Sequence, residues 1–318
     1  MKTVSPLLLS VLLAVLLGSI PSCSSAPRPT EEVNSSKNKA VEFTEYGNNY
    51  YSQGQFEKAI ELFNLALAYN GSVDHQAGMA GSYNSIGRAY LALGRYDDAQ
   101  SNFDRAEKIG QRINDSNLIC QSLNNRGEVF LQRGDYQKAL PHFERAVEKF
   151  DKGVANSQRA IVYHNLGTNY KRLGEKEKAL EYLKLAVKLN LQEKRAEEAA
   201  TNYYMLASIY SENGEYELAL EYADLALTND KKVENSLGIA KDYLALGLIS
   251  KRSGKLEEAF DYFERSLFVY RSMAILHSGL NLEEDVKSLL NQLIQTAEQI
   301  GREDAAEIYR KILRGEKE

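Results

Sequence analysis

The chain has 318 residues, with 39 basic and 44 acidic side chains and a net charge of −5. That mildly acidic balance argues against DNA or RNA as a partner, because phosphate backbones are held by basic surfaces. Two cysteines, Cys23 and Cys120, do not make a disulfide framework.

In chain order, Lys2 precedes an apolar stretch from Leu7 to Ile20, interrupted only by Ser10, Gly18 and Ser19. It is short for a membrane span and suits a signal peptide. It runs into Ile20-Pro21-Ser22-Cys23, which resembles a bacterial lipobox, with Pro21 a departure from the usual pattern. The resemblance implies that residues 1–22 are removed and that Cys23 is the lipid attachment site. An ordinary secretory signal with an incidental cysteine is the other reading. Residues 23–39 are rich in Ser, Pro, Glu, Asn and Lys and read as a disordered tether. With Cys23 acylated, Cys120 has no partner and is expected to be a small buried apolar side chain.

From residue 40 to about 280 the chain repeats itself. Gly54, Gly94, Gly134, Gly174, Gly214 and Gly254 are forty residues apart, and five residues after each stands Ala59, Ala99, Ala139, Ala179, Ala219 or Ala259. Seven residues before each loop glycine stands Gly47, Gly87, Gly127, Gly167, Ala207 or Gly247. Nine after it stands Phe63, Phe103, Phe143, Leu183, Ala223 or Phe263. Spacings of 3, 4 and 7 within each half-unit make each half an amphipathic helix, with the loop glycine between the two. The unit is helix–turn–helix, and six of them make a repeat array.

The motif Asn165-Leu166-Gly167-Thr168-Asn169-Tyr170, followed by Gly174, Ala179 and Ala186, resembles the tetratricopeptide repeat in its long, forty-residue form. The resemblance implies an all-α, right-handed superhelix of six hairpins. Polar turns between repeats are expected at Asn70-Gly71-Ser72, Asn114-Asp115-Ser116, Asn156-Ser157 and Asn229-Asp230. Asn190-Leu191-Gln192-Glu193 is less turn-like. Pro141 falls inside the second helix of the third repeat, at a position whose equivalents are polar and solvent-facing. Residues 281–318 leave the register but retain two amphipathic stretches around Gly301, read as capping helices that cover the last apolar face, with a dimerisation pair as the alternative.

No catalytic constellation emerges. His75, His142, His164 and His277 lack metal-ligand spacing, and the glycines are repeat punctuation rather than a phosphate loop. No enzyme activity, cofactor or metal is expected. Function must then reside on a surface. In tetratricopeptide repeats the concave groove is lined by a row on the first helix of each unit. Here that row reads Thr44, Asn48 and Tyr51; Asn84, Arg88 and Leu91; Asn124, Glu128 and Leu131; His164, Thr168 and Lys171; Tyr204, Ser208 and Ser211; Leu244, Leu248 and Lys251, bordered by Asn125 and Asn165. Asparagine amides can pair with a peptide backbone, and tyrosine supplies contact area at low entropy cost. The cations of a carboxylate clamp are missing, since Thr44, Asn48, Ser85, Gln121 and Asn125 occupy its places.

The sequence therefore predicts a membrane-anchored adaptor, facing the periplasm from the outer membrane by preference, that binds a protein or peptide segment in its groove during cell-envelope assembly or organisation. A ligand-linked component of a periplasmic transport system, paired with a solute-binding protein, is the alternative; an apolar tunnel through the array would favour it.

Overall fold

The computed structural model describes residues 30–276 and 282–316. The expected signal peptide and Cys23 lie outside them. The described residues form fourteen helices: α1 (Thr30–Ser52), α2 (Phe56–Ser72), α3 (Gln76–Ala92), α4 (Tyr96–Ile113), α5 (Ser116–Gln132), α6 (Tyr136–Glu148), α7 (Asn156–Leu173), α8 (Lys176–Gln192), α9 (Ala196–Glu212), α10 (Tyr216–Lys232), α11 (Ser236–Arg252), α12 (Leu256–Leu276), α13 (Glu283–Gln299) and α14 (Glu303–Leu313). They pair as antiparallel hairpins stacked in sequence order, an all-α solenoid closed by a C-terminal helix pair.

Helix formation starts earlier than expected. Residues 30–39, read as the end of a tether, are the first turns of α1. Pro29 is the last helix breaker ahead of them, and Ala40 is the first described residue to be buried.

Each hairpin turns on the predicted glycine. Gly54 through Gly254 have φ between +70° and +83°, where side chains with a Cβ are disfavoured. In each turn the amide after the glycine donates to a carbonyl five residues back, as from Gln55 N to Tyr50 O at 2.9 Å. This bond closes the first helix as a Schellman motif.

Four of the five junctions between repeats use the same closure, and together the junctions overturn three of the four expected turns. Asp74, Asn114, Lys194 and Glu234 hold the left-handed position, with φ from 49° to 57°. Asn114-Asp115 was legible: Asp115 caps α5 by accepting from Leu118 N at 3.0 Å. Asn70-Gly71-Ser72 and Asn229-Asp230 instead lie inside α2 and α10, and Asn156 opens α7. Asn70, Asn190 and Asp230 are buried, so their polarity marks a seam between repeats and not a turn.

Inside each hairpin the small column faces the aromatic one. A Cβ on Gly47, Gly87, Gly127 or Gly247 would stand 2.5 Å from a ring carbon of Phe63, Phe103, Phe143 or Phe263 respectively. These rings are fully buried. Outside this contact runs a second column of ring contacts, in which the aromatic three residues after the small column of the first helix meets a ring of the second. Phe130 stacks on His142, Tyr170 on Tyr182 and Tyr210 on Tyr222, at 5.2, 5.6 and 5.2 Å between centroids. Burial pushes the His142 imidazole down to about 4, consistent with a neutral ring in the stack. Cys120 is buried as expected, and burial pushes its thiol up to about 12. Pro141 is exposed on α6.

The cap is a seventh hairpin out of register. Gly301 has φ +74°, and Ala306, five residues later, is fully buried. Leu289, Leu290, Leu293 and Ala297 pack against Phe260, Phe263 and Tyr270, so the apolar face of α13 is used within the chain.

Candidate functional site

The first helices stand side by side, and the column expected to open on the groove faces the next first helix. Asn84 is 2% exposed. Its Oδ1 accepts from Ser122 Oγ at 3.2 Å and Asn125 Nδ2 at 3.3 Å, and its Nδ2 donates to Gln121 Oε1 at 3.1 Å. Asn124 Oδ1 accepts from Asn165 Nδ2 at 3.0 Å, and His164 Nδ1 donates to Asn202 Oδ1 at 2.9 Å. Burial lowers the His164 basicity. An amide carries both donor and acceptor, so this column joins α3, α5, α7 and α9 by a neutral hydrogen-bonded seam. Asn84 and Asn124 therefore hold the wall together and have little surface to offer a partner.

The open part of the wall lies one turn away. A cavity of about 230 Å³ is lined only by first helices: Tyr51 of α1; Arg88, Leu91 and Ala92 of α3; Gln121, Asn124, Asn125, Glu128 and Gln132 of α5; and Gln158 and Ile161 of α7. Six of the expected residues, Tyr51, Arg88, Leu91, Asn124, Asn125 and Glu128, meet there. Gln132, Gln158 and Ile161 were missed. Gln158 and Ile161 precede the row on α7 and Gln132 directly follows it on α5, and Ile161, at 38% exposure, is an isoleucine left partly in water. Arg88 lies over the Tyr51 ring at 5.1 Å. Burial pushes the Glu128 carboxyl above its usual range, opposed by the Arg88 charge and a hydrogen bond from Gln132. Asn165 and Thr168 lie beyond the cavity on α7, half-buried, and Asn48 is exposed on α1.

Towards the C-terminus the same columns are closed. Lys171 Nζ donates to Ser208 Oγ at 2.7 Å and pairs with Glu212 at 3.0 Å. Leu244 and Leu248 pack against the core shared with the cap, and Lys251 Nζ donates to Gln292 and Gln295 of α13 at 3.0 and 3.3 Å. Leu244, Leu248 and Lys251 were expected to line a groove; they are engaged by the cap instead. Tyr204 remains 40% exposed. No group of three or more His, Cys, Asp or Glu among the described residues could hold a metal ion, and none of the described helices is long and apolar enough to cross a membrane.

Solved structures of similar shape include BtubC (BKLC) from P. vanneervenii, at 22% identity and a TM-score of 0.61, covering 70% of this chain and 90% of that one. A Rap protein in complex with Competence and Sporulation Factor matches at 19% identity and a TM-score of 0.60, over 87% of this chain and 74% of that one. A Signal Transduction ATPase with Numerous Domains protein from Pyrococcus horikoshii, with a tetratricopeptide repeat sensor, matches at 19% identity and a TM-score of 0.69. That match covers 89% of this chain, which spans only 43% of the larger protein. At these identities the likeness is one of fold. No curated protein matches. The family model described as tetratricopeptide repeat matches residues 40–112, 78–152, 118–192 and 197–272. With well over half of its length accounted for in this way, the chain is a member of the tetratricopeptide repeat family.

Proposed function

We propose that this chain is an interaction scaffold that binds an extended segment of another protein in the cavity between α1 and α7. The observation that carries the reading is that cavity. It is recessed and lined by five amide side chains, one cation and one carboxylate beside Tyr51, Leu91, Ala92 and Ile161, and its walls are helices already joined to one another. Amides that are not consumed by the seam suit a ligand whose own groups are backbone amides. The Rap neighbour, solved with Competence and Sporulation Factor, supports the idea that a solenoid of this shape can hold a partner. The polar lining does not favour an apolar transport tunnel.

The same proposal places the scaffold on a membrane through lipid at Cys23, facing the periplasm, with outer-membrane attachment preferred and a role in organising the cell envelope. The support is in the sequence, in the apolar stretch ending at Ile20-Pro21-Ser22-Cys23. Crosslinking in intact cells tests the groove. A Tyr51→Ala, Ile161→Asp double variant is expected to lose a partner captured by the unaltered chain, and equal capture by both would reject the groove. Metabolic labelling with a fatty acid tests the anchor, which fails if Cys23→Ser still takes up label.

A further inference from the structure

Glu128 differs from Glu107, another recessed acid of the array. Glu107, on α4, is held between two guanidinium groups, Arg126 at 2.7 Å and Arg145 at 3.1 Å. Glu128 makes no ion pair with any described residue, and its hydrogen bond from Gln132 Nε2 is 3.5 Å long. The nearest cation in the cavity, Arg88, is turned onto the Tyr51 ring. A recessed carboxylate without an ion pair is costly, and burial pushes its carboxyl upward even against the Arg88 charge.

A second observation points to a ligand at the same place. Gln158, on the opposite side of the cavity, is 9% exposed, and its Nε2 has no hydrogen-bond partner. Buried donors in folded proteins are nearly always satisfied. The cavity therefore lacks a carbonyl acceptor for Gln158 and a cationic donor for Glu128. A peptide segment presenting a basic side chain supplies both, the cation from the end of that side chain and the acceptor from the backbone, and about 230 Å³ holds a long side chain but no folded domain.

We infer that this cavity is a subsite for a lysine or arginine side chain on the bound segment, with Glu128 as its charge partner and Gln158 as donor to the neighbouring backbone carbonyl. The inference rests on the groove reading above and deepens it. The charge sequence along the wall is Arg88 then Glu128, so an acidic residue on the Arg88 side of the basic one would match both.

The test uses the full chain in detergent on an array of short, N-acetylated random peptides, in which one position at a time is fixed. Acetylation removes the terminal ammonium, so enrichment must come from side chains. Fixed lysine or arginine should bind about tenfold better than glutamine, the scale of one charge-assisted hydrogen bond. Glu128→Gln, which preserves shape while removing a desolvated charge, should abolish that preference and retain peptides that lack a basic residue. Glu128→Lys should turn the preference towards acidic residues. Arg88→Ala leaves Glu128 in place and should increase the preference for basic residues; a decrease counts against the inference. Glu148→Gln, exposed on α6, is the unchanged control. Peptides bound without basic enrichment, or enrichment that survives in Glu128→Gln, would overturn the subsite and leave the groove reading standing. Binding that is equally strong in Tyr51→Ala, or absent altogether, would overturn the groove reading and the subsite with it.

Discussion

Two seams of the same array, built at the same repeat positions, reach opposite outcomes. Across the first three repeats the wall is neutral: Asn70 Nδ2 of the first donates to Ser82 Oγ of the second at 3.4 Å, Asn84 of the second bonds Gln121, Ser122 and Asn125 of the third, and a cavity remains open beside them. Between the fifth and sixth repeats the equivalents of Asn70 and Ser82 are Asp230 and Asp242, both buried and hydrogen-bonded to each other. The equivalents of Asn84 and Arg88 are Leu244 and Leu248, packed towards the cap. A repeat position fixes where a side chain stands. Its chemistry, and what is stacked beside it, determine whether that place is a joint, a site or a sealed core. Two carboxylates can occupy one seam only by sharing a proton, and burial together with the Asp230 charge pushes the Asp242 carboxyl up to about 8.

The largest expected effect tests whether the two regions share one foundation. Phe103→Ala and Phe263→Ala each remove a ring seated on a glycine, and each should cost about 3–5 kcal/mol. Because repeat stability is a sum of near-neighbour terms, the loss should be local, read by hydrogen exchange in the affected hairpin and its neighbours. A much smaller loss for Phe263→Ala would mean that the cap carries the C-terminal region.

Next comes the acidic seam. Its carboxyls have raised folded-state values, so the folded chain holds more protons than the unfolded one between the ordinary carboxylate range and about 8. Their contribution is therefore fully present at low pH and lost as pH rises through that window. Asp242→Asn should flatten the slope and stabilise the chain at pH 8 by on the order of 2–3 kcal/mol. Thermal unfolding from pH 5 to 8 checks it, and a gain that shrinks with rising pH contradicts it. Asn190 and Asn202, one repeat earlier, already place amides at both positions.

In the neutral seam Asn84→Ala should cost about 1–2 kcal/mol, because Gln121, Ser122 and Asn125 lose a buried partner. Denaturant unfolding measures it; no loss would mean that the amide belongs to the ligand and not to the wall. The smallest expected effect is a gain. Lys194 and Glu234 hold left-handed backbone that costs a side-chain residue about 1 kcal/mol, so Lys194→Gly should raise stability by about that amount. A loss in the same unfolding assay would show that unfolded-state entropy outweighs the strain.

Much of the fold was legible, because helix period and turn chemistry are local. The loop glycines, the Gly87–Phe103 type of contact and the capping role of Asp115 could be read from spacing alone. The junctions at Lys194 and Glu234 could not, because Lys and Glu carry no turn signal and enter the left-handed region only when stacking leaves the helix nowhere else to end. Asn70 and Asp230 misled for a related reason: buried polar residues resemble turn residues until their partners across the seam are known.

The candidate site divides the same way. Sequence spacing determined which helix carried the wall and brought Tyr51, Arg88 and Glu128 into one row. Only the stacking of one hairpin on the next decided that Asn84 and Asn124 face a neighbouring helix, that Leu244 and Lys251 are engaged by the cap, and that Gln158 and Ile161 complete the cavity. A periodic sequence specifies angles around each helix axis, whereas burial depends on the distance and tilt between helices, which arise from the packing of all their side chains together.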